Sequence, residues 1–131
     1  RQSFAVGAAR RLAALAERFS FFEDGDEVLP GVQAVASYGH TPGHMAFEVR
    51  AGGEALLVTG DAIGNDHLAF DRPDVPAGAD QDKETAVATR AALFDRIMAE
   101  DMAILGFHLG RGGIGRVDRQ GAGYVLLPDA G

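Results

Sequence analysis

The sequence predicts an α/β protein in which helices are layered on a β-sheet, and three observations carry that expectation. Apolar residues recur at helical spacing over 3–19 and again over 82–100. Alternating apolar runs occupy 31–38, 45–50 and 54–59, and a continuous one occupies 102–107. The helix and strand periods interleave along 131 residues without an internal repeat, a low-complexity tract or a linker, as helices packed on a sheet require. A chain of this length buries ~65% of the surface it exposes when unfolded, so one domain spanning 1–131 is expected.

In order along the chain, Phe4, Ala8, Leu12, Leu15 and Phe19 fall three or four apart, which predicts an amphipathic helix with a core-facing stripe. Glu23-Asp24-Gly25-Asp26 reads as a turn, and the Val- and Ala-rich segment from Gly31 to Tyr38 as a half-buried strand. Met45–Arg50 and Glu54–Thr59 flank Ala51-Gly52-Gly53, a connection suited to a hairpin. From Ile63 to Gln81 no period persists, and an irregular loop forming one wall of a pocket is expected. Asp82 is placed to cap a helix running to Glu100, with Val87, Ala91, Phe94, Ile97 and Met98 facing the core. Met102–Phe107 reads as a buried strand, and Val117–Arg119 with Tyr124–Leu127 as a closing hairpin.

Composition narrows the function. The chain is 47% apolar and 24% charged, the composition of a soluble globular domain, and no apolar run approaches the ~20 residues of a membrane span. A cytoplasmic location is the corresponding expectation. A net charge of −7 opposes binding to a phosphate backbone, so nucleic acid is not an expected partner. There is no cysteine, which leaves any metal to His, Asp, Glu or water. The chain opens at Arg1 without an initiator Met or a charged-then-apolar leader, so it is expected to belong to something longer.

Three predicted strands each end in a metal-ligand type of residue, at Tyr38-Gly39-His40, Thr59-Gly60-Asp61 and Gly106-Phe107-His108. Side chains leaving neighbouring strand ends converge beyond the sheet, where rigid backbones hold them. Two imidazoles and a carboxylate without thiolate suit Zn²⁺, with Fe²⁺ and Mn²⁺ as alternatives. In Gly39-His40-Thr41-Pro42-Gly43-His44, the proline and glycine forbid a helix that would put both histidines on one face. One is therefore expected to bind metal and the other to support it, and His44, with Thr41, is assigned the supporting place. His67 falls in the irregular loop and is expected to be solvated. The string Gly110-Arg111-Gly112-Gly113-Ile114-Gly115 matches a dinucleotide pattern formally, but a strand follows where a helix is required.

The GHTPGH string, the later Gly-Asp and the lone His after the last buried strand resemble the third, fourth and fifth motifs of the metallo-β-lactamase superfamily. That resemblance implies half of an αββα sandwich, with a mixed, largely antiparallel sheet and helices on one side. It also implies a two-zinc site in which His40 ligates the first metal, Asp61 bridges both and acts in catalysis, and His108 ligates the second. The implied activity is hydrolysis of an ester, lactone, thioester or similar bond by a metal-activated hydroxide. The superfamily's His-x-His-x-Asp-His motif has no counterpart here, since no histidine precedes His40. Each metal is thus left with one His and a shared Asp, against the three or more protein ligands zinc usually takes. The chain alone is expected to be inactive and to associate with the missing N-terminal half or with a second copy. The alternative is a binding or assembly module that keeps the fold without metal.

Overall fold

The computed structural model describes residues 2–110 and 112–128, with the side chains of 2–4 excepted. Phe4 of the first stripe and Arg111 of the glycine-rich string therefore lie outside the described side chains. Among the described residues a single seven-stranded sheet has the spatial order β1 to β7 in chain order. The strands are β1 Glu27–Leu29, β2 Val32–Ala36, β3 Met45–Ala51, β4 Glu54–Val58, β5 Ala103–Leu105, β6 Ile114–Gln120 and β7 Gly123–Leu127. Every neighbouring pair is antiparallel except β4 and β5. A parallel pair needs a crossover, and this one holds helices α2 (Leu68–Asp71) and α3 (Lys83–Ala99). The mixed, largely antiparallel sheet with helices is the expected architecture.

Register divides the sheet into two faces. The paired residues Glu48 and Leu57, Leu57 and Ile104, and Val117 and Leu126 share one face. On that face Ala46, Leu57, Ile104, Val117 and Tyr124 form the core with Phe70 of α2 and Leu93, Phe94 and Ile97 of α3. The ring of Phe94 stacks on Tyr124 at 4.0 Å and meets Phe70 edge-on at 5.2 Å, which locks both helices to the end of the sheet. The opposite face carries the pairs Phe47 with Val58, Val49 with Leu56, and Leu105 with Ile114. It is apolar, yet Leu105, Ile114 and Leu127 are exposed.

Several local expectations are corrected. Helix α1 (Gln2–Ala14) and a 3-10 turn at Ala16–Arg18 form where the first helix was expected, but Ala8, Leu12, Leu15 and Phe19 are exposed. The stripe is present and no described element covers it, because helical periodicity specifies a face and not the surface that meets it. Ala91 is exposed and Val87 only half-buried, whereas Ala86, Arg90 and Leu93 are buried, so the inward face of α3 is rotated from the one expected. That face includes the buried Arg90, which an apolar count does not see. The strand expected to reach Tyr38 ends at Ala36, and the 102–107 run yields only β5, with Phe107 four-fifths exposed. The irregular loop contains α2, whose first turn Asn65 caps by accepting from the amides of His67 and Ala69. Strand β1 was not foreseen, being three residues beside the Pro30-Gly31 turn. Asp82 caps α3 as expected, accepting from the Thr85 amide at 3.0 Å. Among the described residues no helix is long and apolar enough to cross a membrane.

Candidate metal centre

The segments after β2, β4 and β5 meet at one end of the sheet, and their side chains line a cleft. His40, Asp61 and His108 face each other there, with Gly64, Asn65 and the loop Ala77–Ala79 as the remaining wall. Asp61 is the hub. Its Oδ2 lies 3.5 Å from His40 Nε2 and its Oδ1 lies 3.3 Å from His108 Nε2. Asp61 Oδ1 is buried and accepts no hydrogen bond, an unmet demand of the kind a cation or a donor from outside the chain would meet.

Two glycines make this approach feasible, and both precede a candidate ligand. Gly39 adopts φ +121°, and a Cβ there would fall 2.3 Å from the Ala86 amide nitrogen in the first turn of α3. Gly60 adopts φ +52°, and a Cβ there would fall 2.7 Å from His44 Nε2. The Gly-His and Gly-Asp pairs of the sequence are thus steric requirements: the backbone passes too close to its neighbour for any side chain.

His44 has both ring nitrogens engaged. Its Nε2 accepts from the Asp61 amide at 3.0 Å, so its Nδ1–H donates to Ser37 Oγ at 2.7 Å, and the Ser37 hydroxyl donates onward to the His44 carbonyl at 3.3 Å. Burial lowers the His44 pKa, and the neighbouring His40 lowers it further against the opposing effects of Asp61 and Ser37. A neutral ring is what an acceptor at Nε2 requires. His44 holds the backbone of Asp61 and has no lone pair left for a metal. Thr41 supports the turn through its carbonyl, which accepts from the amides of Gly39 and His44.

His40 is oriented by a residue that motif reading missed. Its Nδ1 lies 3.2 Å from Oδ1 of Asp80, a carboxylate whose side chain is 1% exposed. Asp80 Oδ2 accepts from the Ala77 amide and from Arg90 of α3, whose side chain is 3% exposed. Arg90 also donates to the carbonyls of Ala62, Pro73 and Val75. One guanidinium thereby ties α3 to the turn carrying Asp61 and to the loop that walls the cleft. The signal available in sequence was weak: an arginine at helical register with the core face of α3, and an aspartate just ahead of its cap. His108 is more than half exposed, with the Phe107 ring 4.6 Å from its own. His67 is almost fully exposed, and the cleft does not include it.

Among the described residues no group of three or more His, Asp or Glu side chains is arranged to hold one metal ion. The geometry explains this, because His40 and His108 approach opposite oxygens of Asp61 and form two poles of two donors each. The donor types and the orphaned Asp61 Oδ1 fit a two-metal site, and the donor number fits part of one.

The sequence pattern of the metallo-beta-lactamase superfamily matches residues 6–96. The chain belongs to the metallo-β-lactamase superfamily. Solved structures of the superfamily superpose on it. A hydrolase of the beta-lactamase superfamily, AbOPH, is 30% identical over 89% of the chain with a TM-score of 0.81. AidC, a dizinc quorum-quenching lactonase solved with a product, is 24% identical over 91% with a TM-score of 0.82 and bears on the fold. An N-acyl homoserine lactone hydrolase, solved with N-hexanoyl-L-homoserine at its catalytic metal centre, is 29% identical over 70% with a TM-score of 0.59. The chain spans only 41%, 40% and 36% of these structures' own lengths. No curated protein matches the sequence.

Proposed function

We propose that this chain is the C-terminal part of a zinc-dependent hydrolase that opens a lactone or a related ester or thioester. The observation that carries the reading is Asp61, each of whose carboxylate oxygens faces a different imidazole Nε2 while one of them lacks any hydrogen-bond donor. A module without metal would leave the buried Oδ1 of that carboxylate without a hydrogen-bond donor, so the non-catalytic alternative is the less supported one. The lactone substrate class follows the 29%-identical relative named above. Small residues at Gly64, Ala77, Gly78 and Ala79 keep the cleft open beside the ligands.

In the complete site His40, Asp61 and His108 would hold two divalent ions. Such ions would supply Lewis acidity toward a carbonyl and would acidify a water to near-neutral pKa. The chain's own residues do the positioning: His44 fixes the Asp61 backbone, and Asp80 presents His40 Nε2 to the site. Two donors at each pole fall short of the three or more that zinc usually takes, so the missing N-terminal half is to supply the rest, and that half or a second copy is the expected partner. The open sheet face at Leu105, Ile114 and Leu127 and the uncovered stripe of α1 are apolar surfaces for such a partner.

The isolated 131-residue chain is therefore expected to show no chelator-sensitive hydrolysis of N-hexanoyl-homoserine lactone, and to sediment as a dimer or larger species at micromolar concentration. Chelator-sensitive turnover by a monodisperse monomer would overturn the incompleteness.

A further inference from the structure

We infer that the buried Asp80–Arg90 pair sets the tautomer of His40, holding the ring proton on Nδ1 so that the Nε2 lone pair is directed at the Asp61 pole. The inference rests on the reading of His40 as a ligand only for its consequence, since the hydrogen bonding stands without metal. Asp80 is buried and oriented from two sides: its Oδ2 is taken by the Ala77 amide at 2.8 Å and the Arg90 guanidinium at 3.3 Å, both obligate donors. That leaves Oδ1, an acceptor, toward His40 Nδ1 at 3.2 Å. An ionised carboxylate only accepts, so a neutral His40 satisfies the contact with its proton on Nδ1. Arg90 is in turn immobilised by the three carbonyls it binds, so the carboxylate cannot rotate without breaking the loop that walls the cleft. Asp80 and Arg90 are positioning residues: neither lines the cleft where His40, Asp61 and His108 meet.

The isosteric change Asp80→Asn separates positioning from packing. Arg90 and the Ala77 amide remain donors, so the amide oxygen of the asparagine turns to them and its NH₂ turns to His40. The Nδ1 atom must then accept, and the proton moves to Nε2, where it blocks the lone pair. Nitrogen NMR of the imidazole in the metal-free chain, well above the ordinary histidine pKa, reads this directly. The wild-type protein is expected to carry the His40 proton on Nδ1, Asp80→Asn to carry it on Nε2, and Asp80→Glu to restore Nδ1. A core variant on another element, Val117→Ala of β6, is expected to leave the tautomer as in the wild type although it lowers stability. A zinc titration of the same samples is expected to show ~10–100-fold weaker binding in Asp80→Asn, the usual effect of losing a partner behind a ligating histidine. A wild-type proton on Nε2, or a tautomer unchanged in Asp80→Asn, overturns the inference, and the wild-type spectrum decides alone if the variant fails to fold. Inversion of the tautomer without any change in zinc binding supports the positioning role and counts against the metal reading of the site.

Discussion

Replacing Phe94 by alanine is expected to cost about 3–5 kcal/mol of stability, the usual range for deleting a large buried ring. The side chain is fully buried and sits where three elements meet. It stacks on Tyr124 of β7 with an interplanar angle of 11° and meets Phe70 of α2 at 77°, so its loss removes two aromatic contacts as well as buried area. The space cannot refill from outside, because its neighbours Leu93 and Ile97 are anchored on the same helix face. Against a total stability of about 5–15 kcal/mol for an ordinary domain, this change alone brings the chain close to unfolding. Urea unfolding compares the variant with Phe94→Leu, which keeps most of the volume and is expected to lose markedly less. A loss below about 1 kcal/mol for the alanine variant would mean that α3 does not seat on the sheet as described.

Arg90→Met is the second large effect, expected to cost about 3–5 kcal/mol through a different mechanism. Removing the guanidinium leaves Asp80 as a buried carboxylate without its counter-charge, and also leaves the carbonyls of Ala62, Pro73 and Val75 without their donor. The methionine fills the space, so packing is not the main loss. Adding Asp80→Asn to Arg90→Met should therefore cost less than it does in the wild type, or even recover stability, because the unpaired charge is gone. Strictly additive losses measured by urea unfolding in this double-mutant cycle would show that the two residues are not coupled. The change is also expected to loosen the 73–80 loop, raising amide exchange at Ala77 before the core exchanges.

The sheet was legible in the sequence wherever side chains alternate or run continuously apolar. β3, β4 and the β6–β7 hairpin lie where the pattern puts them, and Asp82 starts α3 as a capping residue should. The meeting of His40, Asp61 and His108 was legible for a related reason, since each follows a strand of one sheet and so leaves it at the same end. What escaped were features that depend on pairs distant in sequence. The Asp80–Arg90 contact is invisible to a motif because neither residue stands out in its own segment, and Arg90 lies on the buried face of α3 where Ala91 was expected. The exposure of Leu12, Leu15 and Phe19 escaped because periodicity announces a buried face without naming what buries it. β1 escaped because three residues carry too little pattern to register.

The measurement that tests the central claim most directly is a calorimetric zinc titration of the purified, metal-stripped chain beside its Asp61→Asn variant. Asp61 is the shared hub of both poles, so the wild-type chain is expected to take up zinc weakly, with two donors per pole, and the variant to lose that uptake. Uptake unchanged in Asp61→Asn would contradict a metal centre built on His40, Asp61 and His108.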